Sequence, residues 1–174
     1  MANLKLEKLH QLLEKQIQKG HINYVVPDLW NAWNYQGEEL RRLPSGELLV
    51  NPYRFYASVI QDWILPKKQP KTNYSKSLSQ IRQIQSPKGG DWVRQAVMYS
   101  TMIRSSASWD HDRSYSLDLR NFDGLKETGS FVKMLALLPL LQKMGVNTVY
   151  MLPISRFSLK DKKGELGSPY GVAS

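Results

Sequence analysis

Residues Gly129 to Pro153 read GSFVKMLALLPLLQKMGVNTVYMLP. The pattern predicts a helix, a glycine stop and a short strand. Phe131, Leu135, Leu138 and Leu141 recur at i, i+4, i+7 and i+10, which is one face of a 3.6-residue helix. Ser130 is placed to cap the helix start, and Gly145 to end it in a left-handed turn. Pro139 has no N–H to donate, so it is expected to kink the helix or shift its start. Val146 to Leu152 is apolar and β-branched on both faces. A strand of that kind, buried on both sides, belongs to a parallel sheet covered by helices.

Upstream, Ala96 to Ile103 (AVMYSTMI) reads as a preceding strand. The loop that follows, SSASWDHDRSYSLDLRNFDGLKETGS, is longer than most connections, and long ordered loops in compact domains are often functional. A second loop, ISRFSLKDKKGELGSPYGVAS, follows the strand at Val146–Leu152.

Residues 3–19 pattern as an amphipathic helix, with Leu6, Leu9, Leu13 and Ile17 on one face and Gly20 as its stop. In HINYVVPDLWNAWNY, Trp30 and Trp33 share a face of a helical turn. Tryptophans can stack on a pyranose ring, but they more often anchor a core or an interface, and packing is the expectation here. Pro44-Ser45-Gly46 marks a turn between short extended pieces. Residues 52–65 read as a helix with Asn51 as cap, Pro52 in its first turn, and Phe55, Tyr56, Val59, Ile60 and Trp63 facing inward. Residues 66–90 are polar, basic and bracketed by proline and glycine, a linker composition. The expected organisation is a mainly helical N-terminal region with its linker over 1–90 and a second unit over 91–174.

The chain of 174 residues is 41% apolar and carries a net charge of +9. It contains no cysteine, which excludes disulfides, zinc thiolates and a cysteine nucleophile. Its basic residues are scattered rather than gathered in an arginine-rich helix, so the charge does not predict nucleic-acid binding. The N-terminus has no apolar signal region, and no run approaches the roughly 18 apolar residues of a membrane span. A cytoplasmic protein with no membrane partner is the expectation. There is no G-x-S-x-G elbow, the Gly89-Gly90 pair lacks a Gly-Lys-Ser/Thr ending, and His10, His21 and His111 have no triad context.

Three stretches carry a family resemblance. LLPLLQKMGVNTVYMLPI resembles the first helix and second barrel strand of α-amylase-type glycoside hydrolases, glycoside hydrolase family 13, with their L-x-x-L-G-V-x-x-I/V-x-L-x-P-I pattern. The shorter L-x-x-x-G-V element is shared with other sugar-active and phosphate-binding barrels. Trp92, Ala96, Val97, Tyr99 and Arg104 fall where that family's first strand has matching residues, with Ser105 in place of its usual aromatic. GSPYGV resembles its H/S-P/G-Y-x-V-x-D-Y motif, with Ser174 where the family has aspartate. The matches span about residues 91–174, in the family's order. Residues 1–90 carry no such resemblance.

The resemblance implies an α/β fold, the first two strands of a (β/α)8 TIM barrel. It implies an α-glucan or α-glucoside substrate and retaining glycosidase or transglycosidase chemistry, in which two carboxyl groups about 5–5.5 Å apart act as nucleophile and acid. It makes Tyr170 the substrate-binding aromatic that stacks on the sugar ring. A complete barrel takes about 250 residues, so the catalytic carboxylates are expected beyond residue 174, and residues 1–174 alone are expected to be inactive. The alternatives are a non-catalytic carbohydrate-binding module and a truncated one.

No cofactor is required by this reading. Asp110, His111, Asp112, Asp118 and Asp123 place hard oxygen ligands close together, and some family members hold calcium after the first strand. The glycine-rich aspartate loop of those members is missing, so a solvated turn-forming loop is the expectation. Oligomeric state, linkage and hydrolysis versus transfer are not written in these residues.

Overall fold

The computed structural model describes residues 2–20, 23–32, 34–65, 90–119, 125–155, 158, 160, 162 and 164–173. Trp33, Asp123, His21 and the linker 66–89 lie outside them.

The leucine stripe near the N-terminus forms helix α1, Ala2–Ile17, and Gly20 follows it with φ +75°. Three short strands come next: β1 (Tyr24–Val26), β2 (Arg41–Arg42) and β3 (Leu48–Val50). They form an antiparallel sheet in the order β1-β3-β2, with Leu48 opposite Val26 and Arg42. The expected turn at Pro44-Ser45-Gly46 closes the β2–β3 hairpin, where Leu43 N donates to Glu47 O and Gly46 takes φ +89°. Among the described residues the N-terminal region is thus mostly helix, with a small three-stranded sheet added. Its extended pieces pair because Val26, Leu48 and Val50 can all reach the core, where each is completely buried.

Helix α2, Pro52–Val59, starts as expected. The Asn51 side chain accepts hydrogen bonds from Tyr53 N and Arg54 N, a cap worth about 1 kcal/mol. The helix continues as a π-helical turn, Ile60–Ile64, where Leu65 N bonds Ile60 O five residues back. Phe55, Tyr56, Val59 and Ile60 are fully buried.

The second half holds β4 (Met98–Met102), a single helical turn α3 (Ile103–Ser106), helix α4 (Phe131–Lys143) and β5 (Thr148–Leu152). β4 and β5 are parallel and in register from Met98–Thr148 to Met102–Leu152. The fold is thus mixed α/β with four helices and two small sheets among the described residues. Neither sheet closes into a barrel.

Helix α4 starts where the sequence places it. Ser130 Oγ accepts from Lys133 N, and Gly145 ends the helix with φ +83°. The helix runs through Pro139 without moving its start. Its inward face is not the expected one, however. Lys133, Met134, Ala136, Leu137 and Leu141 are buried, whereas Phe131 is 57% exposed and Leu135 and Leu138 are half-buried. The reason is tertiary. Helix α4 packs against α2 and the 3-10 turn Asp28–Asn31 of the N-terminal half. Ala136 lets those elements approach, and one apolar core joins Tyr24, Trp30, Phe55 and Tyr56 to Ile103, Met134 and Leu141.

The expectation that Val146–Leu152 is buried on both faces is also corrected. Tyr99, Thr101 and Val149 face the core, and Thr101 is buried. The opposite face carries Met98, Ser100, Met102, Thr148, Tyr150 and Leu152, and it stays open, with Met98 51% and Tyr150 53% exposed. A two-stranded sheet buries only the face that helices cover, and no described element covers this one.

No described helix is long and apolar enough to cross a membrane.

Candidate functional site

Because β4 and β5 are parallel, both following loops leave from the same, carboxyl, end of the pair. In α/β folds, ligands bind at that end. The first loop folds through its carboxylates. Asp110 accepts from Ser114 N (3.1 Å) and Tyr115 N (2.8 Å), and Asp112 accepts from Ser114 N (2.9 Å). Arg113 and Tyr115 take left-handed backbone, φ +62° and +64°. Arg113 reaches the β2–β3 hairpin, donating to Glu47 and Ser45. A cavity of about 430 Å³ opens between Glu47 and the loop residues Trp109, Asp110, Arg113 and Tyr115.

Glu127 organises the same loop from inside. It is 1% exposed. One carboxylate oxygen accepts from His111 N (2.8 Å), the other from Asp118 N (2.6 Å). Sequence reading missed Glu127, since a lone glutamate sixteen residues from His111 gives no local signal. Asp110, Asp112 and Glu127 each bring a carboxylate oxygen within 4.8 Å of the others, whereas Asp118 reaches Glu127 through its backbone N–H. Calcium takes 6–8 oxygen ligands. Five of the six carboxylate oxygens of these residues already accept from backbone amides. They brace the loop.

His111 is a core residue. Its ring stacks on Tyr24 at 3.5 Å between centroids and lies edge-on to Trp30. Its Nδ1 bonds Val25 O at 2.7 Å while His111 O accepts from Val25 N, so the loop residue covers the edge of β1. The Nδ1–H tautomer follows from that carbonyl partner. Trp30 is 4% exposed, so it packs rather than stacks on sugar, as expected. His10 lies on α1 near Glu14.

Lys133 is a second residue that sequence reading overlooked. It falls four residues before Leu137 and eight before Leu141, in line with the buried stripe. It is fully buried, and its Nζ has no hydrogen-bond partner among the described residues. Burial lowers its pKa to about 7, with Glu127 acting against the shift. Burial, and then Lys133, lowers His111 to about 3, against the pull of Val25 O and Asp112.

Both groups hold fewer protons folded than unfolded. Stability therefore climbs with pH, from about 3 to 6.5 for His111 and from about 7 to 10.5 for Lys133. The slope is up to about 1.4 kcal/mol per pH unit for each. Tyr24, Tyr35 and Tyr56 are raised above 10.0 by burial, so their contribution is lost only above that pH. The urea midpoint should rise between about pH 4 and pH 9. Lys133→Met should flatten the part above pH 7 and narrow the acid part, since the Lys133 charge helps burial to lower His111. A flat wild-type profile would contradict both burials.

Tyr170, the residue assigned to the sugar, lies in the second loop and is 64% exposed. Its N–H donates to Ser168 Oγ (3.2 Å). Arg104, from the end of β4, donates to Leu166 O and Gly167 O, so the structure brings the two loops together three residues from Tyr170. No family model matches the chain, and no curated protein matches it.

Proposed function

We propose that this chain is the N-terminal part of a retaining glycosidase or transglycosidase acting on α-glucosidic bonds. In this reading β4 and β5 are the first two strands of a (β/α)8 barrel, and Tyr170 is a stacking platform for the sugar ring. The catalytic carboxylates belong to strands beyond residue 174. The supporting observation is the parallel pair β4–β5, joined through α4, whose two carboxyl-end loops meet beside an exposed Tyr170. The open face, with Met98, Met102, Tyr150 and Leu152 beside Ser100 and Thr148, fits a barrel interior awaiting its other strands, since parallel sheets are covered on both faces.

A pyranose offers an apolar face to a tyrosine ring, and an exposed ring can take that contact without first moving aside. The platform binds and orients the sugar. The chemistry comes from two carboxyl groups, one attacking the anomeric carbon and one protonating the leaving oxygen.

The test is turnover of α-glucosides by the whole polypeptide that carries this segment. The first-formed product should keep the α-anomeric configuration by NMR. Tyr170→Ala should lower kcat/KM at least about tenfold, equivalent to about 1.4 kcal/mol of lost transition-state binding. Absence of α-glucoside turnover, or an unchanged kcat/KM in Tyr170→Ala, would sink the proposal.

A further inference from the structure

We infer that Arg104 is a positioning residue: it latches the loop after β5 onto the end of β4 and thereby sets where Tyr170 stands. The inference rests on the platform reading of Tyr170, but the latch itself stands on geometry. Arg104 begins two residues after the last residue of β4. Its Nη1 donates to Leu166 O and Gly167 O, both at 3.2 Å, and its Nη2 donates to Gly167 O at 3.1 Å. A guanidinium presents parallel N–H groups in a fixed fork and can hold two successive carbonyls at once, whereas an ammonium acts as a single point charge.

The segment it holds is already closed on itself. Ser158 N donates to Gly171 O (2.6 Å) and Gly171 N to Ser168 O (3.2 Å). Lys162 Nζ donates to Glu165 O (2.6 Å). Gly167 takes φ +67°, and a Cβ there would come within 3.2 Å of Lys162 Cβ, so the carbonyl pair sits on a turn that favours glycine. Arg104 fastens this turn, with the bonds around it, to the chain just past β4. Tyr170 is 64% exposed, so the backbone that carries it sets the space its ring can reach. Arg104 also accepts Gly129 N on its own carbonyl (3.0 Å), which ties the start of α4 to the same residue.

The experiment combines hydrogen exchange with maltooligosaccharide turnover on the whole polypeptide. In Arg104→Ala, amides of Ser158, Tyr170 and Gly171 should exchange at least about tenfold faster, while those of α4 keep their protection. Arg104→Lys should fall between Ala and wild type. KM should rise as in Tyr170→Ala, and the Arg104→Ala/Tyr170→Ala double variant should be no worse than Tyr170→Ala alone, because both remove one platform. Unchanged loop exchange in Arg104→Ala overturns the latch. Additive effects in the double variant overturn the positioning role. If the wild type neither binds nor turns over maltooligosaccharide, the platform reading falls, while the exchange data still decide the latch.

Discussion

Replacing Gly129 with alanine is expected to cost at least about 3 kcal/mol of folding stability, the upper range for forced backbone shifts. A Cβ at Gly129 would overlap the Ile103 carbonyl oxygen and lie 2.7 Å from its carbon and 3.1 Å from the Arg104 carbonyl carbon. All three are backbone atoms of α3, just past β4, so no side chain can swing away to make room. Relief requires moving α3, or moving the start of α4 and breaking the bond from Gly129 N to Arg104 O. Ile103, Met134 and Leu141 share the core with α2, so either shift propagates into the N-terminal half. Urea denaturation checks this. A variant within about 0.5 kcal/mol of wild type, the range of ordinary surface changes, would show that β4 and α4 do not approach so closely.

Glu127→Ala should be comparably damaging, by about 3–5 kcal/mol. The change takes the acceptor from two backbone N–H groups, those of His111 and Asp118. It also removes the nearby negative charge that favours a protonated, fully buried Lys133. A buried donor left without a partner costs about 1–3 kcal/mol. The pKa of Lys133 should drop further, since only the desolvation that lowers it would remain. Glu127→Gln keeps one acceptor oxygen and should lose about half as much. Chemical denaturation of the two variants, with exchange at His111 and Asp118, separates these contributions. Equal small losses in both would mean that the carboxylate is not holding the loop.

Glu127 and Gly129 show what kind of residue sequence reading misses. Nothing local distinguishes this glutamate from the exposed acids of the same loop, or this glycine from a flexible one. Their roles come from chain segments that return from elsewhere. The sequence flagged Asp110, Asp112 and Tyr170 by residue type and motif. Asp110 and Asp112 turned out to brace a loop, and Tyr170 stands exposed beside the Arg104 latch. The helix face was misassigned for a related reason. Helix α4 is apolar nearly all round, so periodicity alone offers several candidate stripes, and the packing of α2 chose the one containing Lys133.

By itself the sequence determined the features that act over one or two turns of chain. These are the Asn51 and Ser130 caps, the ends of helices at Gly20 and Gly145, the turn at Pro44–Gly46, and strands flanking α4. Such features depend on hydrogen bonds and backbone conformations within a few residues, which residue type largely dictates. Only the tertiary structure decided which face of α4 is buried, which face of the β4–β5 pair stays open, that His111 seals β1, and that Arg104 holds a carbonyl 63 residues away. Those outcomes depend on which surfaces meet. Apolar burial is non-directional, so a stripe of leucines states that it needs a partner but not which one.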